Sequence, residues 1–176
     1  MIVTISGYIG SGKTTVAKDL SRRFGIKHSS AGGVFRAMAM EKGLTLEEFT
    51  KLVENDPRID REVDARQREM AKSDDSVIDG RLSGWLVDAD IKIWLKASLD
   101  VRAKRVAMRE SKKYGRALEE TQNREESEIK RYKKLYDIDM RDLTPYNLVI
   151  DTTLWNAGEV ADIIGSIISL TGVKRK

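Results

Sequence analysis

Short apolar runs alternate with longer amphipathic segments along almost the whole chain. Most of the runs are rich in valine and isoleucine, which is typical of strands buried on both faces. The segments between them carry apolar residues three or four positions apart, the spacing of one helix face. The predicted strands cover residues 1–6, 26–30, 76–81, 90–97 and 146–151, and the predicted helices cover 16–24, 34–42, 46–56, 58–72, 100–110, 121–136 and 156–170. This alternation predicts an α/β fold with a parallel sheet covered by helices on both faces.

Local signals refine several of these boundaries. Thr45 and Glu48 have the spacing of a capping box, which starts a helix. Asp100 is the expected N-cap of the helix that follows the fourth strand. The run Ala-Gly-Gly at 31–33 is expected to end the second strand, and the basic stretch 111–120 is expected to be a loop. The helices from 34 to 73 form an insertion between the second and third strands. At 176 residues, one domain is the simplest organisation.

The first strand and the first helix are joined by a glycine-rich stretch that ends in Lys-Thr. Strand, Gly-x-x-x-x-Gly-Lys-Thr and helix together form the full context of a phosphate-binding P-loop. Its backbone N–H groups and the helix N-terminus attract anionic oxygens. Lys13 is expected to reach the β- and γ-phosphates, and the Thr14 hydroxyl to ligate Mg²⁺ directly. The predicted ATP-binding residues here are Gly7, Tyr8, Ile9, Gly10, Ser11, Gly12, Lys13, Thr14 and Thr15.

Composition narrows the class of protein further. The chain has no cysteine, which excludes disulfides and cysteine-ligated zinc. It has no apolar run of about 18 residues, and its start lacks the pattern of a signal peptide, so we expect a cytoplasmic protein without a membrane span. The net charge of +4 suits either nucleic acid or a site that gathers phosphates. No aromatic–basic interleaving of the kind that stacks bases is present, which argues against nucleic acid.

Two further positions point to a second phosphate site. Asp79, Gly80 and Arg81 end the third strand, and ligands gather at the carboxyl ends of parallel strands. Asp79 is expected to hold Mg²⁺ through water, and Arg81 to bind phosphate as a bidentate donor. Arg36 follows a glycine pair at the end of the second strand and is another phosphate candidate. The simpler alternatives are an ordinary Asp-Gly turn and a solvated helix arginine.

Arginines also recur at helical spacing around the basic loop. Arg102, Arg105 and Arg109 share one predicted face, and so do Arg124 and Arg131, with Glu128 between them. Two arginine-bearing helices joined by a loop have the form of a lid that closes over a bound triphosphate. A salt-bridged surface helix is the simpler alternative. His28 is expected to have a structural role, and the three tryptophans to pack in the core or at its rim.

These motifs together resemble the nucleoside monophosphate kinases, and most of all the short archaeal-type cytidylate kinases. The segments that carry the resemblance are the P-loop, 30–36, 79–81 and 124–132, and it extends over nearly the whole chain. It implies a P-loop three-layer fold with a five-stranded parallel sheet in the order 2-3-1-4-5. It divides the single domain into a core (1–34, 74–109 and 122–176), a monophosphate-binding segment (35–73) and a lid (110–121). The short Asp-Gly-Arg and the short lid differ from the adenylate kinases and favour the cytidylate branch.

The resemblance also implies roles for individual residues. Arg36 and Arg81 would hold the acceptor monophosphate, in a site that includes Ser30, Gly32 and Gly80. Arg105 and Arg109 would pack against ATP, and Arg124 and Arg131 would bridge the donor and acceptor phosphates. Glu128 would face the cytosine amino group. Within 35–73, polarity alone makes Arg58, Asp60 and Asp64 candidates for contact with the base. The predicted catalytic residues are therefore Lys13, Asp79, Arg81, Arg124 and Arg131.

The activity that follows is Mg²⁺-dependent transfer of a phosphoryl group from ATP to CMP, and to dCMP, by a monomer. One alternative is another small-molecule P-loop kinase, acting on a different monophosphate or on a hydroxyl acceptor such as shikimate. An alternative of another class is an ATPase module that works with RNA. Such a module would hydrolyse ATP without an acceptor and would bind RNA in a salt-dependent manner.

Overall fold

Five parallel strands form the centre of the computed structural model, which describes residues 1–70 and 75–170. The strands are β1 (Ile2–Ser6), β2 (Lys27–Ser30), β3 (Ser76–Asp79), β4 (Ile91–Lys96) and β5 (Leu148–Asp151). The helices are α1 (Lys13–Phe24), α2 (Ala31–Glu41), α3 (Leu46–Asn55), α4 (Pro57–Met70), α5 (Ser83–Leu86), α6 (Leu99–Glu110), α7 (Tyr114–Tyr136) and α8 (Ala157–Leu170). The sheet order is β2-β3-β1-β4-β5. The predicted fold class and strand order are confirmed.

Each face of the sheet is covered by its own helices. Val3, Ile5 and Ile93 point to the face where α1 and α8 pack through residues such as Leu20 and Ile164. Trp94 points to the opposite face and packs with Leu82, Tyr132 and Tyr146. Alternate strand residues therefore serve two cores, as expected for a sheet buried on both sides. Among the described residues no helix is long and apolar enough to cross a membrane.

The helices between β2 and β3 have a separate apolar cluster. Phe49 and Val53 of α3 pack against Met38 of α2 and against Ile59 and Val63 of α4. This cluster shares no member with the core on the α1 and α8 face of the sheet. The insertion is thus a small packed unit beside the sheet. The predicted helix end at 71–72 lies outside the described residues.

Several predicted boundaries were wrong. Strand β2 ends before residues 31–33, as predicted, but the next helix starts at Ala31 instead of Val34, because the Ser30 hydroxyl accepts from the Gly33 N–H and caps α2. Ser98, not Asp100, caps α6 in the same way. Strand β3 ends at Asp79, two residues early, and the one-turn helix α5 was not predicted.

The predicted loop 111–120 is helical from Tyr114 onward, so α7 runs for 23 residues. Ala117 is fully buried against Ile9 and Val106, and this packing fixes the first turns of the helix. An ion pair at i, i+4 between Arg116 and Glu120 adds to it. The lysines and arginines of 111–120 suggested a solvated loop. The first turns of α7 instead bury Ala117 and leave the charged side chains of this stretch at the surface.

Candidate active site

The P-loop connects β1 to α1 and requires glycine at two positions. Gly7 and Gly10 both have positive φ, at 145° and 78°. A Cβ at Gly7 would lie 2.2 Å from the Leu95 carbonyl oxygen, and one at Gly10 would lie 2.5 Å from that of Arg102. The α1 N-cap, Gly12, offers no side chain to the first amides of the helix. Those N–H groups are therefore available to an anion.

Lys13 lies at the start of α1 and is nearly buried. Its ammonium group donates to the Tyr8 carbonyl oxygen at 2.8 Å, so the side chain folds back along the loop. Burial, together with the positive charge of Arg81, lowers the pKa of Lys13 well below its ordinary value. An anionic ligand beside this group would favour its charged form.

Asp79, at the end of β3, forms hydrogen bonds with three side chains from α1 and β2. Thr14 Oγ1 donates to Asp79 Oδ2 at 2.7 Å, and Ser30 Oγ donates to the same oxygen at 3.2 Å. His28 Nε2 lies 2.7 Å from the other carboxylate oxygen. Burial raises the pKa of Asp79, but the hydrogen bonds from His28 and Thr14 and the charge of Lys13 outweigh it and leave the pKa lowered.

The contact with His28 was not anticipated from the sequence. In the sheet, β2 and β3 are parallel neighbours, with Ser30 opposite Asp79 and His28 opposite Val77. The imidazole thus reaches a carboxylate two residues further along the adjacent strand. Only the strand register reveals this pairing, so a lone histidine in the sequence gave no signal for it.

The oxygens of Thr14 and Asp79 fit a magnesium ion. Mg²⁺ prefers hard oxygen ligands and is commonly bound by one or two protein groups together with substrate phosphates and water. Within the described ranges, no cluster of three or more His, Cys, Asp or Glu residues could hold a metal by itself. The hydroxyl and carboxylate beside the P-loop therefore suit a cation that arrives with a phosphate ligand.

Several arginines line the same cleft as the P-loop, and two of them are paired with carboxylates. Arg81 Nε donates to Glu128 Oε2 at 2.6 Å. Arg131 Nε donates to Asp60 Oδ2 at 3.0 Å and its Nη1 donates to Ser127. Burial raises the pKa of Glu128, but the neighbouring guanidinium groups, above all Arg81, bring it below its ordinary value. The arginines are thus held in place by buried acids.

Acidic side chains of α4 face the same region. Tyr136 donates its hydroxyl to Asp64, and Asp60 lies nearby. Burial raises the pKa of Asp64 to about 6, although the hydrogen bond from Tyr136 lowers it in part. Asp60 and Asp64 were base-contact candidates by polarity alone, and the structure places both in the wall of the cleft described below. It does not place Arg58 there; this residue pairs with Asp56 at the surface.

The predicted arginine face of α6 divides into three environments. Arg102 points under the P-loop, where it pairs with Glu125 and donates to the Ile9 carbonyl oxygen. Arg105 donates to the side-chain and carbonyl oxygens of Thr152 at 2.9 and 2.6 Å. Arg109 is exposed beside Glu110 and lines two cavities. Only Arg109 has the open position expected of a lid residue.

A cleft of about 1110 Å³, the main cleft, brings most predicted site residues together. Those that line it are Ile9, Gly10, Gly12, Lys13, Thr14, Thr15, Gly32, Arg36, Asp79, Gly80, Arg81, Arg109, Arg124, Glu128 and Arg131. A side cavity of about 310 Å³ on the other flank of the P-loop is lined by Ser11, Arg105, Trp155 and others. Gly7, Tyr8 and Ser30 line neither of these two. Trp155 is partly exposed there, whereas Trp94 is packed in the core.

Comparison with known proteins identifies a family model and close relatives that match this chain. Residues 2–154 match the family model described as the cytidylate kinase-like family. A protein named cytidylate kinase from Methanocella arvoryzae is 51% identical over 165 residues, which cover 93% of this chain and 94% of the relative. One of the same name from Pyrococcus abyssi is 48% identical over 169 residues, covering 96% and 93%.

Solved structures agree on the fold. A shikimate kinase from Aquifex aeolicus superposes with a TM-score of 0.61 at 18% identity, covering 98% of this chain and 97% of that one. An uncharacterized protein from Eubacterium ventriosum gives a TM-score of 0.70 at 20% identity, covering 96% and 98%. At such low identity these likenesses concern the fold alone. The match to the family model and the relatives at about half identity establish that the chain belongs to the cytidylate kinase-like family.

Proposed function

We propose that this protein is a cytidylate kinase that transfers the γ-phosphoryl group of ATP to CMP and dCMP, giving ADP and the corresponding diphosphate. One observation carries the proposal beyond the family relationship. The P-loop and the four arginines Arg36, Arg81, Arg124 and Arg131 line the same cleft. A kinase with two phosphorylated substrates needs cationic groups for the acceptor phosphate as well as for the donor, and the shared lining of this cleft supports such an arrangement.

The chemistry follows from positioning and charge. The P-loop amides and Lys13 would hold the donor phosphates, while Arg36 and Arg81 would orient the acceptor phosphate in line with them. Arg124 and Arg131 would then offset the charge that spreads over the transferred group. No general base is needed, because a monophosphate with a pKa near 6 is already an anionic nucleophile at neutral pH.

Thr14, directly, and Asp79, through water, are the residues that would hold Mg²⁺, which when bound neutralises charge on the donor phosphates. Arg131 is paired with Asp60. It would exchange this carboxylate for phosphate as the substrates bind. We propose that residues 35–73 carry the acceptor, that 110–121 act as the lid, and that the enzyme works as a cytoplasmic monomer without nucleic acid or membrane.

An acceptor panel tests the function. The purified protein is given ATP, Mg²⁺ and one of CMP, dCMP, UMP, AMP or shikimate, and ADP is measured with a coupled assay. We expect rapid turnover with CMP and little ADP without an acceptor. The Lys13→Ala variant, purified in parallel, measures contaminating kinase. Turnover of shikimate with CMP inert, or fast hydrolysis without any acceptor, would refute the proposal.

A further inference from the structure

Glu128 and Arg81 form an ion pair within the main cleft. Arg81 Nε and Glu128 Oε2 are 2.6 Å apart, and the two side chains are only 19% and 11% exposed. The pair links the end of β3 to the middle of α7, residues 47 positions apart in sequence. Charge-assisted contacts of this length between poorly hydrated groups define side-chain orientation strongly. Arg81 is therefore fixed before any substrate arrives.

The pairing leaves the rest of the guanidinium group free to bind. In the described part of the chain, no hydrogen bond engages the terminal nitrogens of Arg81. These are the two nitrogens that form a bidentate contact with a phosphate. Arg81 lines the same cleft as Gly80 and Lys13. A guanidinium anchored through Nε in this way can present both terminal nitrogens without losing its partner.

Glu128 is poorly placed to exchange this contact for a neutral donor. Arg81, Arg124 and Arg131 all act electrostatically on its carboxylate. Accepting from an uncharged amino group in place of Arg81 would replace a charge-assisted hydrogen bond by one about half as strong. It would also leave a nearly buried guanidinium without its counter-charge.

We infer that Glu128 is a positioning residue, which holds Arg81 Nε so that the terminal nitrogens meet the acceptor phosphate, and that it is not the group that distinguishes cytosine from uracil. This inference rests on the proposed function, since it assumes that Arg81 binds a monophosphate. It assigns Glu128 to the phosphate half of the acceptor, in contrast to the role that the family resemblance implied.

A double-mutant cycle with two acceptors tests the inference. We measure kcat/KM for CMP and for UMP in the wild type, Glu128→Ala, Arg81→Ala and the double variant. Glu128→Ala is expected to lose about 100-fold with both acceptors, as for a misplaced phosphate ligand, so the ratio of CMP to UMP stays within about twofold. In the Arg81→Ala background, Glu128→Ala is expected to change the rate by no more than about twofold.

Controls separate the possible failures. Glu126→Ala removes an exposed carboxylate two residues away on α7 and should leave both rates unchanged. If Glu128→Ala does not fold, Glu128→Gln keeps the size of the side chain and removes its charge, and is judged by the same cycle. A fall confined to CMP, or a full effect that persists without Arg81, would overturn the inference. A wild type that does not phosphorylate CMP would instead refute the proposed function.

Discussion

Replacing Arg102 by methionine should destabilise the protein markedly. Its guanidinium group lies 2.6 Å from Glu125 and also donates to the carbonyl oxygens of Ile9 and Ala97. The side chains of Arg102 and Glu125 are 6% and 22% exposed. Removing one partner of a buried pair costs about 3–5 kcal/mol, because it leaves the other charge unpaired. Since Glu125 retains some contact with water, we expect the lower end, about 3 kcal/mol.

Urea unfolding followed by circular dichroism measures this loss. In a chain of this length it corresponds to a fall in Tm of roughly 6–12 °C. Lys104→Met is the matched control, because Lys104 lies on the same helix, is 62% exposed and pairs with Asp100 at i, i+4. It should cost at most about 0.5 kcal/mol. Adding Glu125→Gln to Arg102→Met should recover part of the stability, since the double variant has no unpaired charge. A loss below about 1 kcal/mol would refute the reasoning.

Three other outcomes are expected. Lys13→Ala should lower kcat in the coupled ADP assay by about 100-fold or more while the circular dichroism spectrum stays native, because the donor phosphates lose their only P-loop cation. Gly84→Ala should lower the free energy of unfolding by about 1–3 kcal/mol in urea, since its Cβ would lie 2.3 Å from the Tyr146 ring. Asp64→Asn should change the pH dependence of stability. The pKa of Asp64 is raised from 3.8 to about 6, so the folded state binds this proton more tightly and wild-type stability falls between pH 4 and pH 7. The variant, measured in urea at both pH values, should therefore gain up to about 3 kcal/mol relative to the wild type as pH rises; an unchanged difference would contradict the raised pKa.

Periodicity and one motif were sufficient to predict most of the fold. All five strands were predicted, four of them from runs rich in valine and isoleucine, and the P-loop located the edge of the sheet where ligands gather. The errors fell where local chemistry competes with periodicity. At Ser30 a helix cap overcame two glycines, and at Ala117 tertiary packing extended a helix through a basic stretch. Neither effect can be read from a window of a few residues.

The candidate site was predictable as a set of residues, but its pairings were not. The arginines that line the main cleft could be identified as candidates because each follows a strand end or shares a helix face. The carboxylates that hold them come from distant parts of the chain, Asp60 from α4 and Glu128 from α7. His28 and Asp79 likewise meet only through strand register. Spacing along the sequence carries no information about contacts between elements 50 to 70 residues apart.

The separate apolar cluster of the insertion has a consequence for how this protein can change over evolutionary time. Phe49, Val53 and their neighbours form a core that shares no residue with the core on the α1 and α8 face of the sheet. When a residue of α2, α3 or α4 is substituted, the side chains around it can therefore repack within the insertion, and the P-loop keeps its geometry. Under the proposed role of residues 35–73 as the acceptor-binding segment, selection can alter the acceptor that the kinase takes while its use of ATP is retained. A preference among monophosphates can thus diverge between relatives that share an unchanged P-loop.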